Sequence, residues 1–216
     1  MNITVKQTLE RPDIVLFMRE IEAALEQEKE RRKHFYEVID ENKKMEFING
    51  EIYFQSPVKA EHNRATLNLA GLLNVFVTRN ELGFLGIEKI LVSLSRNDYE
   101  PDICFFGADK AIEISPKQMQ FPAPDLAIEV LSDSTERHDR ETKFQDYAAH
   151  GVKEYWIIDA DAQTVEQYFE NDGVYDLVLK SADGHIESKV IAGFRIAIRS
   201  IFDDGENLKE LRRLLA

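Results

Sequence analysis

Between residues 13 and 34 the apolar positions Val15, Leu16, Met18, Ile21, Ala24 and Leu25 recur at helical spacing, and glutamate, lysine and arginine fill the remainder. This predicts a peripheral helix with a solvated face. The period then shortens. Met45–Ile48 and Glu51–Phe54 flank Asn49-Gly50, a dipeptide whose tolerance of positive φ favours a two-residue hairpin turn. From residue 60 to about 78, Ala65, Leu69, Leu72, Leu73 and Phe76 share one face, which predicts a long core-packing helix ending near Asn80. Residues 84–94, with interruptions, and 102–106 read as strands, the second introduced by Pro101, a residue suited to a strand start. A proline-containing loop over 115–124 leads to the apolar strand around residues 126–131, and the helix after it is expected to end at Gly151 in a left-handed cap. Strands follow at 155–159, at 164–169 and 174–180 around Asn171-Asp172-Gly173, and at 194–198, before a C-terminal helix from Asp204. Early strands, a crossover helix and further strands indicate an α/β (α+β) architecture, a mixed β-sheet flanked by helices.

One strand breaks the pattern. In the run Pro124-Asp125-Leu126-Ala127-Ile128-Glu129-Val130-Leu131-Ser132 an acid stands inside an apolar segment, where an unpartnered ionised side chain is expensive to bury. Period-two alternation sets Asp125, Ala127, Glu129 and Leu131 on one face and Leu126, Ile128 and Val130 on the other. Both acids therefore lie on one side, where a cation would explain them.

Composition narrows the reading. A chain of 216 residues, 44% hydrophobic and 31% charged, can bury one substantial core. Its single cysteine, Cys104, excludes an internal disulfide framework and a cysteine-based zinc site, which suits a reducing compartment. No apolar run approaches the roughly 18 residues of a membrane span, and the N-terminus lacks the layout of a signal peptide, so a cytoplasmic location is expected. The formal net charge of −13 opposes nucleic-acid binding, whose affinity comes largely from phosphate neutralisation. Local sign differs, since Arg137, His138, Arg140 and Lys143 concentrate beside the acid-bearing strand.

Asp102 at the start of one strand, Glu129 inside the next and Lys143 one helix later supply two oxygen ligands and an ammonium. Magnesium, or manganese in its place, prefers oxygen ligands and is held by one or two carboxylates plus a substrate phosphate, so the trio suits phosphodiester hydrolysis. Each residue has a plainer reading. Asp102 could cap a turn, Glu129 could sit in a structural salt bridge, and Lys143 could pair with Asp139 on an exposed helix face. Asp125, at the strand's first position, is expected to bind backbone amides near the site. His62, in the first turn of its helix, could approach phosphate or act locally. Glu46, before the hairpin turn, could be an ordinary strand residue.

Here the chain resembles the PD-(D/E)XK nuclease superfamily. Pro101-Asp102 matches the first half of its motif and Glu129-Val130-Leu131 the second, with Leu131 where lysine is expected; Lys143 occupies the position to which that lysine has migrated in several branches. More narrowly, the run from Pro124 through Ser132, Asp139, Lys143, Tyr147 and Gly151 to Tyr155-Trp156-Ile157-Ile158-Asp159 resembles the Uma-two family of putative restriction endonucleases. The resemblance extends to Glu46-Phe47-Ile48-Asn49-Gly50-Glu51 and to Ser56-Pro57 with His62. It implies a restriction-endonuclease-like fold over residues 36–199, with 1–35 as an N-terminal helical extension and 200–216 as a C-terminal helix on the same domain. It also implies a magnesium-dependent nuclease with Asp102, Glu129 and Lys143 as the catalytic set and Glu46 as a weaker fourth member. On this reading the backbone carbonyl of Val130 is a further metal ligand, and Asp125, His62 and Asp139 surround the site. Arg137, His138 and Arg140 contact phosphates of a nucleic acid, expected to be DNA, and a homodimer is expected because two-fold pairing lets one-site subunits cut two strands. The rival readings are a non-catalytic nucleic-acid-binding or regulatory module on the same fold, favoured by the charge and by Leu131, and a hydrolase of small phosphorylated molecules.

Overall fold

The computed structural model of the protein describes residues 5–40 and 43–216. A short helix α1 (Val5–Leu9) precedes the 25-residue α2 (Ile14–Val38). The apolar positions of the first half of α2, Val15, Leu16, Met18 and Leu25, are exposed. Its second half is anchored: Phe35 packs on Phe47, with ring centroids 5.7 Å apart, and Arg32 grips the fully buried carboxylate of Asp98 through Nε at 2.6 Å and a terminal nitrogen at 2.9 Å. Tyr36 donates to the same carboxylate at 2.9 Å. Arg32→Ala should destabilise the protein by about 3 kcal/mol, since it strands a buried anion with one hydroxyl donor; chemical denaturation measures it.

The hairpin β1 (Met45–Ile48) and β2 (Glu51–Phe54) turns at Asn49 and Gly50, with φ of 52° and 87°. The positive φ at Gly50 is what favours glycine there. Then come α3 (Ala60–Arg79), β3 (Gly83–Ile87), β4 (Leu91–Ser93), β5 (Asp98–Tyr99), β6 (Ile103–Gly107), α4 (Ala108–Ala111), β7 (Gln120–Phe121) and β8 (Leu126–Val130). A π-helical turn (His138–Thr142) runs into α5 (Lys143–Ala149), followed by β9 (Glu154–Asp159), β10 (Thr164–Asn171), β11 (Val174–Ser181), β12 (His185–Glu187), β13 (Arg195–Ala197), α6 (Arg199–Phe202) and α7 (Asp204–Leu215).

The sequence pattern over 84–94 reads as one interrupted strand; the structure splits it between two sheets. β3 is the edge of a six-stranded sheet ordered β11-β10-β9-β8-β6-β3, whereas β4 belongs to a five-stranded sheet ordered β2-β1-β5-β4-β7. Glu88, at φ 58°, lies in the break, where Ile90 N–H bonds Glu88 O. In the larger sheet only β8 and β9 pair in parallel, so the sheet is mixed. Its central strand β8 is buried on both faces. Leu126, Ile128 and Val130 enter a core with Leu69, Leu72 and Leu73 of α3, while Ala127 joins Tyr147, Tyr155 and Ile157 on the other side. Glu129 shares the second face, next to α5. Gly151 caps the end of that helix at φ 71°, as its sequence position predicts.

Candidate active site

In the antiparallel pairing of β6 and β8, Ile103 stands opposite Ile128 and Cys104 opposite Ala127. One further step in this register sets Asp102 across from Glu129, and directly opposed residues of an antiparallel pair point to the same face. Asp102 is buried. Its Oδ2 accepts the Val130 backbone N–H at 2.8 Å and lies 3.3 Å from His62 Nε2, and its Oδ1 accepts from Lys44 Nζ at 2.6 Å. Burial alone would raise this carboxyl, but the His62 contact and the Lys44 ammonium overcome it and hold Asp102 well below the usual carboxylate range.

Lys143 enters from the opposite side. Its backbone N–H donates to His138 O, five residues back, the widened turn that recurs at functional sites. The turn brings Asp139 and Lys143 inward together. Lys143 is 0% exposed, and its Nζ lies 2.9 Å from Glu46 Oε1, 3.0 Å from Glu129 Oε1 and 3.0 Å from Asp139 Oδ1. Tyr147 Oη donates to the same Glu129 oxygen at 3.2 Å, and Glu46 Oε1 also accepts the Glu100 N–H at 2.9 Å. Burial would lower the Lys143 ammonium, but Asp139, Glu129 and Glu46 more than offset this, so it stays charged far above its ordinary range. Glu129 moves the other way from Asp102. Burial drives its carboxyl well up, Lys143 opposes, and Asp139, Asp102 and Glu46 add to the rise. Their different surroundings thus push the two carboxyls apart in acidity.

The structure thus brings Glu46, Glu129, Asp139 and Lys143 into one buried cluster, with Asp102 and His62 at its border. Glu46, the weakest candidate from sequence, is a full member of it. The plainer reading of Lys143 as an exposed partner of Asp139 is corrected: the pair exists, but both residues are buried and two glutamates share the amine. Lys44 and Tyr147 were not singled out as site residues, since no periodicity or spacing marks a lysine that reaches Asp102 across 58 positions or a helical tyrosine over Glu129.

Other expected neighbours lie elsewhere. Asp125 does bind a backbone amide, that of Gly107 at 2.9 Å, but its remaining partners are Lys110 and Lys153 at the far end of β8. Arg140, expected to meet phosphate, makes a two-pronged bond to Glu166 at 2.9 and 3.2 Å and a third bond to Glu136. The arginine overcomes burial and holds Glu166 down to about 2. Arg137 pairs with Glu141 at 3.0 Å on the surface, and His138 packs edge-on against Tyr53, 4.7 Å between centroids. These three side chains form no free basic patch, because the acids of their own and neighbouring elements neutralise the two arginines.

Among the described residues no three acidic, histidine or cysteine side chains are placed to close around a metal by themselves. Magnesium does not need such a cage: one or two carboxylates suffice, with water and substrate phosphate completing the shell. Asp102 and Glu129 face each other across adjacent strands, with the Val130 backbone beside them. Both buried oxygens of Asp139 also lack a hydrogen bond of good geometry, so the cluster has anionic capacity to spare. These carboxylates are oxygen donors of the kind a hard divalent ion takes, and in the structure their partners are lysines, His62, Tyr147 and a backbone amide.

Sheet order and site together define a restriction-endonuclease-like α/β domain. A crystal structure described as a putative nuclease belonging to DUF820, from Anabaena variabilis ATCC 29413, has a similar fold, with a TM-score of 0.68 at 20% identity over 78% of this chain and 94% of that one. The chain belongs to the Uma2 family, described as putative restriction endonuclease, whose model matches residues 32–199. Two relatives from Synechocystis sp. (strain ATCC 27184 / PCC 6803 / Kazusa) are similar in sequence. The uncharacterized protein sll1609 is 32% identical over 127 residues, 58% of this chain and 71% of its own length. The uncharacterized protein slr1290 is 27% identical over 166 residues, 75% of this chain and 85% of its own. Among the described residues no helix is long and apolar enough to cross a membrane.

Proposed function

We propose that the protein is a metal-dependent endonuclease that hydrolyses phosphodiester bonds of DNA. The observation that carries this reading is the buried cluster in which Lys143 Nζ lies 2.9 to 3.0 Å from Glu46, Glu129 and Asp139, with Asp102 bonded to the Val130 N–H beside Glu129. Asp102, Glu129 and the Val130 carbonyl would hold magnesium or manganese, which when bound supplies Lewis-acid stabilisation of developing phosphate charge and a more acidic water. Lys143 keeps Glu129 oriented, balances the charge of Glu46 and Asp139, and is the ammonium available to the attacking water when the cluster opens to substrate. Asp102, held ionised by Lys44 and His62, keeps its anionic form for the ion over the whole physiological range. A homodimer would place two such sites on opposite strands of a duplex.

The test is plasmid DNA incubated with magnesium or manganese and either wild-type protein or Glu129→Ala. Cutting that depends on the ion and disappears in the variant supports the reading; cutting that persists in Glu129→Ala sinks it. A second reading has one observation in its favour. Lys143 is fully enclosed by carboxylates, as in a domain that keeps the fold and binds nucleic acid without cutting it. Manganese binding that requires Asp102, with no cleavage of any DNA, would favour that module.

A further inference from the structure

β2 is the outer strand of its sheet, and it ends on an exposed aromatic residue. Phe54 is 63% exposed and Val58, past the turn into α3, is 44% exposed. The two line one groove with Lys43, Lys44, Ser56 and Glu88. Lys43 Nζ stands 5.9 Å from the centre of the Phe54 ring, so a cation already flanks the flat apolar face. Lys44, deeper in the groove, is bonded at 2.6 Å to Asp102 Oδ1 and at 3.1 Å to Glu88. The groove therefore borders the candidate site through one residue, Lys44, whose ammonium touches Asp102.

Single exposed apolar side chains are ordinary and need no explanation. Here three features coincide: an aromatic face open to solvent, the Lys43 ammonium over that face in a chain with net charge −13, and a second lysine in the same groove, Lys44, bonded to Asp102 and Glu88. An aromatic platform beside backbone-neutralising cations is the chemistry by which unpaired nucleotides are held, because every base has a flat face to stack and every linkage an anion to neutralise. A base inside a duplex has both faces occupied by its neighbours, so the platform selects strand regions that are not paired.

We propose that this groove docks an unpaired segment of DNA, one base lying on Phe54 and a flanking phosphate against Lys43, which leads the adjoining phosphodiester toward the Lys44–Asp102 pair. The proposal rests on the nuclease reading for its substrate and adds the strand state that reading leaves open.

The experiment is fluorescence anisotropy on the full chain in chelator, which prevents cleavage, with labelled oligothymidylate, a mixed-sequence duplex of the same length, and oligouridylate. The wild type should bind oligothymidylate more tightly than the other two. Phe54→Ala should weaken that binding about tenfold or more while leaving duplex binding unchanged, and Phe54→Trp should restore it. The exposed position leaves the fold intact, which circular dichroism checks. Equal binding by Phe54→Ala, or tighter binding of duplex or of oligouridylate by the wild type, overturns the proposal. The two readings fail separately. Plasmid cutting with Phe54-independent binding removes the groove and keeps the nuclease, whereas Phe54-dependent binding with no cutting removes the nuclease and keeps the groove.

Discussion

Replacing Lys143 with methionine is expected to cost about 5 kcal/mol of stability, at the top of the range for breaking a buried ion pair, because one ammonium serves three buried carboxylates. Methionine fills much of the volume but leaves Glu46, Glu129 and Asp139 facing one another. The loss should depend on pH in a defined direction. Burial raises the Glu129 and Asp139 carboxyls above their ordinary values, so each stabilises the folded state at acidic pH, below the unfolded value, and that contribution disappears as pH rises through the folded value. Without Lys143 the folded values climb further. The deficit of the variant should therefore be smallest near about pH 5 and grow toward about pH 8. Urea denaturation at the two pH values reads it, and a deficit that widens on acidification would contradict the geometry of the cluster. Glu46→Gln placed in the Lys143→Met background should recover part of the loss, since it removes one of the facing charges.

Asp102→Asn should have the largest effect on function. It keeps the size of the side chain but removes the anion that Lys44, His62 and the Val130 N–H all address. Manganese affinity should fall at least about a hundredfold, since even partners outside the ligand shell are worth 10 to 100-fold, and plasmid cutting should fall with it. Titration calorimetry separates the two effects. The stability deficit should shrink as pH falls, as for Lys143→Met, but in a far more acidic window. The folded Asp102 carboxyl is held below its ordinary value, so its contribution is present above the unfolded value and is lost as pH falls through the folded one. The wild type should exceed the variant by about 3 kcal/mol at neutral pH, the scale of hydrogen bonds to a charged group, and the gap should close only in strong acid. A variant that retains manganese binding would remove Asp102 from the ligand set.

These two residues also show how far sequence reaches. Glu129 is legible because an acid in a doubly buried strand has no cheap structural reason to exist, and the alternation of β8 fixes which core face it joins. Asn49-Gly50 is legible because few residues accept positive φ at both turn positions. Glu46 is only weakly legible. It follows a methionine in a four-residue strand whose every position is buried, and nothing local says that its carboxyl meets a helix almost a hundred residues later. Arg137 and Arg140 mislead for the same reason. Their clustering is visible in the sequence, but the partners that neutralise them include Glu166, on a strand 26 positions beyond Arg140. The short strands β4, β5 and β7 carry too few residues for any periodicity to register.

Local periodicity, turn chemistry and one misplaced acid therefore determine the longer helices and strands, the mixed α/β class and the strand that bears the buried acid. Which charges meet is decided by tertiary structure alone. Lys143 finds three carboxylates, Asp102 is held by Lys44 and His62, and the arginines near the site are tied up by glutamates, because ion pairs form between side chains that folding brings within a few ångströms regardless of their separation along the chain. Burial then amplifies each pairing by removing the water that would otherwise screen it.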